Sequence, residues 1–150
     1  MNKRDIAIGV VILFVLTGLI YYWRKPANED LKVPQTLSVQ DDIEDKFNIS
    51  IPDEVDKAEL IDVSGGNAYG IATREYINNK YVHTVLADLP ELDSGNYEAE
   101  LEKDGDTIKT GTLRLAKGGY LLEYESDLNL DDYKLVKVKS DDKIILQGSF

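Results

Sequence analysis

Between residues 97 and 102 apolar and acidic positions alternate without a break: Tyr97, Ala99 and Leu101 against Glu98, Glu100 and Glu102. A period of two places the first set on one face of a strand and the second on the other, so this segment predicts a half-buried strand with an acidic outer face. Asp104-Gly105 follows directly. This dipeptide favours a type I′ hairpin turn, because both central residues of that turn need positive φ. Residues 107–116 then return as the partner strand. Beyond Gly118-Gly119 the alternation resumes, with Tyr120, Leu122 and Tyr124 on one face and Glu123 and Glu125 on the other. Val136 and Val138 alternate with Lys137 and Lys139, and Ile144 and Leu146 repeat the pattern. Earlier strands are predicted at 58–63, 68–77 and 80–89, with Gly65-Gly66 and Asn78-Asn79 as turns. Seven to eight short strands within residues 57–150 predict an all-β domain, an antiparallel β-sandwich of immunoglobulin-like size.

The N-terminal pattern differs. Residues 6–23 form an uncharged run rich in Val, Ile and Leu, flanked by Lys3 and Arg4 on one side and Arg24 and Lys25 on the other. At 18 residues it is long enough to cross the hydrocarbon of a bilayer, and Tyr21, Tyr22 and Trp23 suit the interface. A signal-peptide cleavage site needs small residues just past such a run, and Tyr-Tyr-Trp-Arg-Lys-Pro stands there instead. The expectation is an uncleaved signal anchor: residues 1–5 a cytoplasmic stub, 6–23 a transmembrane helix, and the acidic remainder outside the cytoplasm. Residues 24–56 read as an acidic stalk punctuated by Pro26, Pro34 and Pro52. Within it a short helix near 38–47 is predicted, capped by Ser38, with Asp41 and Asp42 in its first turn. Its apolar positions Val39, Ile43 and Phe47 recur every fourth residue, which suits packing against the domain.

Charge narrows the partners. Outside residues 1–25 the chain carries 27 acidic and 13 basic residues. Such a surface repels phosphate backbones, which excludes nucleic acid, and it lacks the basic clusters that hold a protein on anionic lipid. The absence of cysteine rules out disulfides, thiolate metal sites and cysteine nucleophiles. His83 is the only histidine and sits in a strand pattern with Val85 and Ala87, with no nucleophile or orienting group placed beside it. Asp127, Asn129 and Asp131 imitate the first ligands of a calcium loop, but Asp132 stands where glycine is required and Val138 where the bidentate Glu belongs. A solvated acidic turn is the expectation there. Asn48-Ile49-Ser50 fits the N-glycosylation sequon, a match of three residues only. The nine tyrosines fall mostly at strand positions and read as core and sheet surface. No catalytic, cofactor-binding or metal-binding residue is assigned, and no cofactor is expected.

One stretch resembles a known family. Val85-Leu86-Ala87-Asp88-Leu89-Pro90-Glu91-Leu92 leads through Gly95 into Tyr97-Glu98-Ala99-Glu100-Leu101 and on to Gly111-Thr112-Leu113. Leu135-Val136-Lys137-Val138 and Ile145-Leu146-Gln147-Gly148 follow. These residues resemble the extracytoplasmic C-terminal domain of anti-sigma-K factors, and single-helix membrane-anchored proteins of small-genome bacteria that end in a similar Gly-Ser-Phe. The resemblance covers roughly residues 80–150 and implies a β-domain of the cell envelope carried by one membrane helix. It departs from the family at Glu100, where tryptophan is usual, and five residues before the helix leave no room for the family's cytoplasmic zinc-binding domain. The functional expectation is a non-enzymatic, membrane-anchored binding module acting on an envelope protein or ligand. The alternative is an anti-sigma-type sensory domain that works through a separate membrane partner.

Overall fold

The computed structural model describes residues 38–150. The expected stub and transmembrane helix, and the stalk up to residue 37, lie outside the described residues. A compact unit spans Leu37–Phe150. It opens with helix α1 (Val39–Phe47), whose start follows from Ser38: its hydroxyl accepts from the Asp41 N–H at 3.2 Å while the Asp41 carboxylate accepts from the Ser38 N–H at 3.3 Å. Asn48, in the left-handed conformation, ends the helix. Nine strands follow: β1 (Asp56–Asp62), β2 (Tyr69–Ile77), β3 (Lys80–Asp88), β4 (Tyr97–Lys103), β5 (Asp106–Thr112), β6 (Arg114–Ala116), β7 (Gly119–Ser126), β8 (Leu135–Ser140) and β9 (Lys143–Ser149).

All nine strands pair antiparallel in one sheet, in the order β5-β4-β8-β9-β1-β2-β3-β7-β6. The all-β expectation holds. The expected sandwich of seven to eight strands is corrected to a single nine-stranded sheet that nearly closes on itself. The physical reason lies at Leu113. β5 and β6 occupy opposite edges of the sheet, yet only Leu113 separates them in the chain. Laid flat, nine strands would hold those edges about 38 Å apart, whereas two residue steps reach about 7 Å. The sheet must therefore roll until its edges meet. One bent segment serves both, pairing first with β4 and then with β7. At the bend the Leu113 N–H still donates to the Tyr97 carbonyl at 2.8 Å, and β5 is bulged opposite Ala99/Glu100, with Thr110 as the extra residue. Gly111 adopts a φ of +144°, and a Cβ there would lie 3.0 Å from Leu122 of β7, which is how closely the two edges approach.

The interior is filled by alternate residues of every long strand, among them Leu60, Ala72, Val85, Leu101, Leu122, Val136 and Leu146. On the outside, α1 covers β2 and β3: Ile43 and Phe47 are buried against Ile71 and Leu86, with Ile51 closing the patch. Burying such side chains contributes about 2–3 kcal/mol each. Phe47 lies directly over Gly119, where a Cβ would come within 2.4 Å of its ring. The outer glutamates of β4 do not face open solvent as a bare acidic row. Glu98 pairs with Lys109 at 2.5 Å, Glu100 with Lys139 and Glu102 with Lys137.

Candidate functional site

The rolled sheet has two ends, and they differ. The connections from β3 to β4 and from β7 to β8 join strands that are not neighbours, so each crosses an end of the barrel. At the first end the β7–β8 connection is a plug. Leu130 is buried, the Asp131 carbonyl accepts from Arg74 at 2.8 Å, and the Tyr133 hydroxyl donates to Asp106 of β5 at 2.6 Å. Asn129 accepts from the Asp131 N–H at 2.9 Å, and Asp132 pairs with Lys103 at 2.6 Å. The residues that imitate a calcium loop thus build the turn that closes this end. Among the described residues no cluster of three or more His, Asp or Glu has the arrangement to hold a metal ion.

Above the plug lies His83, fully enclosed. Its Nδ1 is 3.0 Å from the Thr73 carbonyl, so the neutral ring carries its proton there and donates it. Its Nε2 and the Tyr81 hydroxyl are buried without a hydrogen-bond partner. The two rings stack at 6.4 Å, Phe150 meets His83 edge-on at 6.1 Å, and the Arg74 guanidinium sits 4.2 Å over Phe150 while pairing with Asp56 at 2.7 Å. Burial holds the His83 pKa down at about 4, with the nearby Arg74 charge acting in the same direction and the Thr73 contact opposing both. Burial likewise pushes the Tyr81 phenol up to about 12. At neutral pH both side chains are uncharged members of the core.

The second end holds a cleft of about 610 Å³ between the crossing β3–β4 connection, the β1–β2 loop and the β8–β9 turn. Its floor is apolar: Ala68, Leu92, Tyr97 and Ile145. Tyr97 is buried, packs edge-on against Tyr120 at 5.0 Å, and donates its hydroxyl to the Pro90 carbonyl at 3.0 Å, which ties the crossing connection to the barrel. The rim carries Asp62, Asp141, Asp142 and Lys143, three carboxylates against one ammonium. Asp62 organises its loop. It accepts from the Ser64 N–H at 2.7 Å, the Ser64 hydroxyl at 2.8 Å and the Ala68 N–H at 2.9 Å. The Ala68 bond above all, helped by Ser64 and Gly66 against some desolvation, holds its carboxyl at about 2. Asp141 and Asp142 are exposed in the β8–β9 turn and form no ion pair among the described residues. A second hollow of about 400 Å³, lined by Gly95, Asn96 and Glu98, shares Asp141 and Asp142 as its wall.

The sequence assigned no residue to this cleft. Asp62-Val63-Ser64 carries the Asp-x-Ser spacing of a side-chain-capped turn, which could have marked Asp62 as a loop organiser. Nothing local connects it with Asp141 and Asp142, nearly eighty residues away. No family model, curated protein or solved structure matches the chain.

Proposed function

We propose that this chain is a membrane-anchored binding module, held by residues 6–23 with its β-barrel on the outer face of the cytoplasmic membrane, and without catalytic activity. The observation that carries the reading is the open, polar-rimmed cleft at one barrel end, downstream of an 18-residue uncharged run. Clefts of this size with an apolar floor and a few polar groups suit recognition. The enclosure of His83, with Nδ1 committed to a backbone carbonyl, removes the one histidine from any surface chemistry. Among the described residues no helix is long and apolar enough to cross a membrane, so the anchor rests on the residue pattern of 6–23. Protease added to intact spheroplasts is expected to digest the stalk and release the barrel. A chain left uncut in intact spheroplasts, and cut in the stalk only after lysis, would reverse the orientation.

A second reading has one observation in its favour. The stretch that resembles anti-sigma-K factors includes Pro90, Leu92 and Tyr97, which line the cleft. A sensory domain of that type would use the same cleft and pass its signal through the membrane helix. That helix has Gly9 and Gly18 nine positions apart, without the four-residue spacing of small residues that favours helix association in lipid. Replacing residues 6–20 by an unrelated Leu-rich span separates the readings: a binding module keeps its partners, whereas a transmembrane sensor loses its response.

A further inference from the structure

The plug at the first end of the barrel, residues 127–134, is held differently from the strands around it. It belongs to no ladder of the sheet. Its Asp131 N–H bonds the Asn129 side chain and its Tyr133 N–H the Leu130 carbonyl, so both bonds stay within the segment. Leu130 is its one buried residue. Its other ties to the barrel are polar: Arg74 to the Asp131 carbonyl, Lys103 to Asp132, Asp106 to Tyr133, and the Phe150 N–H to the Lys134 carbonyl. Local opening is easiest where few apolar side chains are buried and no strand pairing must break. By that measure the plug parts from the barrel before any long strand does.

The plug covers a place that resists charge. His83 has Tyr81 stacked beside it, Tyr124 opposite on β7, Arg74 opposite on β2 and Phe150 edge-on. The ionisable groups of the elements packed here are Asp56 of β1, Arg74 and Tyr76 of β2, Tyr81 of β3, Tyr124 of β7 and Asp131 of the plug. Of these the Arg74 cation acts on the imidazole, and as a like charge it opposes protonation. An N–H formed at Nε2 has no acceptor among the described residues of the closed barrel, and water becomes its acceptor once the plug lifts. Arg74 is also the group that holds the plug, through the Asp131 carbonyl at 2.8 Å. Charge on His83 therefore acts against the fastening as well as against burial.

We propose that the plug is an acid-released cap: proton uptake by His83 favours a state in which residues 127–134 leave the barrel end while the sheet stays paired, which opens the interior around Tyr81 and His83 to solvent. The cap and the cleft occupy opposite ends, so this device is independent of the binding-module reading. Linkage sets its size. The enclosed ring titrates at about 4 and a solvated one near 6.5, so the open state takes up the proton first. The open fraction rises as pH falls through about 6.5, levels off below about 4, and gains about 20-fold between pH 7 and 5.

The test uses the full chain in detergent micelles. The chain has no cysteine, so Leu130→Cys places a single thiol under the plug, and Leu128→Cys, at a position 66% exposed, gives the unprotected rate at each pH. Dithiodipyridine, a disulfide reagent that stays reactive toward thiols in mild acid, reads both. At pH 7 the Leu130→Cys thiol is expected to be at least tenfold less protected than the urea unfolding constant of the same variant would allow, because the plug opens without the barrel. Its protection is expected to fall about 20-fold from pH 7 to 5, with an onset near 6.5 and a plateau near 4, a profile that needs no change at His83. In the background of His83→Gln, or of His83→Phe, the fall is expected to be less than threefold. Protection equal to the unfolding constant would mean that the plug moves only with the whole domain, and would overturn the cap. A fall as large in either folded histidine variant, or a profile that begins only below about 4, would overturn the role of His83.

Discussion

Lowering the pH from 7 to 5 should destabilise the barrel through His83, by an amount that the structure sets. In the unfolded chain the ring titrates near 6.5, and in the folded chain burial holds it near 4. Because the folded value lies below the unfolded one, the unfolded chain takes up the proton first. Stability from this group is therefore complete above about 6.5, falls as pH drops through that value, and levels off below about 4. Between pH 7 and 5 the loss is about 2 kcal/mol, and over the whole window about 3 kcal/mol. The structural cause is specific. Protonation puts an N–H on Nε2, which has no acceptor, and a second positive charge close to Arg74 inside the barrel. Urea unfolding of the chain, followed by circular dichroism at several pH values, measures the effect. The carboxylates also titrate in acid, so the useful quantity is the difference between the wild type and His83→Gln, which has no titrating ring. That difference is expected to shrink by about 2 kcal/mol from pH 7 to 5. A change below about 0.5 kcal/mol would show that His83 is not held neutral in the core, and the account of this end of the barrel would fail.

Three further outcomes are expected. Gly105 has a φ of +88° in the β4–β5 turn, so Gly105→Val should cost about 1 kcal/mol or more, read as a lower melting temperature; an unchanged transition would contradict the type I′ turn. Gly119→Ala would place a methyl against the Phe47 ring and within 2.9 Å of the Ala87 carbonyl and should cost about 1–3 kcal/mol, with only part of the loss recovered in the background Phe47→Leu, because the backbone contact stays. In a carboxyl-detected NMR titration Asp62 should keep its charge down to about pH 2, because its loop donors favour the carboxylate. Since the folded value lies below the unfolded one, its contribution to stability is present above about 3.8 and is lost as pH falls toward 2; a midpoint at the ordinary Asp position would mean the loop is open.

Much of the local structure was legible in the chain. Alternation placed β3, β4, β7, β8 and β9, and Asp104-Gly105 and Asn78-Asn79 both adopt the paired positive φ that their residues suggested. Ser38 with Asp41 marked the start of α1, and its Val39, Ile43 and Phe47 spacing marked the face that packs on the sheet. What alternation does not carry is the identity of the neighbours. Nothing in Lys57 to Asp62 says that β1 sits beside β9, or in the Lys137 and Lys139 pattern that β8 sits beside β4. A sandwich and a rolled sheet present the same period of two along each strand. The deciding residues are Gly111 to Leu113, where a strand expected to run through 107–116 bends and changes partner. The cleft was illegible for a related reason. Its rim carboxylates come from the end of β1 at Asp62 and from the turn at 141–142, and become neighbours only once the sheet forms.

That closure also explains why the two ends of the barrel are suited to different tasks. Any rolled sheet in this strand order needs one crossing connection at each end, because β3 and β4, like β7 and β8, are separated by other strands. The β7–β8 crossing is fastened by a buried Leu130, the Arg74 contact to Asp131 and the Tyr133 contact to Asp106, which draw it across the opening. The β3–β4 crossing has its buried anchor at Leu89 and its side-chain hydrogen bond at Pro90, both at its start, and leaves the space beside Leu92 uncovered. Tyr97 is the hinge of this difference. Its ring is part of the core, its hydroxyl holds Pro90, and its carbonyl receives Leu113 at the strand bend. The residue that helps close the sheet therefore also fixes the width of the cleft. Tyr97→Phe removes the hydroxyl and keeps the packing, so it should cost about 1 kcal/mol of stability while loosening residues 90–96. Hydrogen exchange that quickens in 90–96 but stays slow in β4 and β5 is the expected signature. Uniform quickening through the barrel would mean that cleft and core are not separable, and the wall of the cleft could not then move without unfolding the domain.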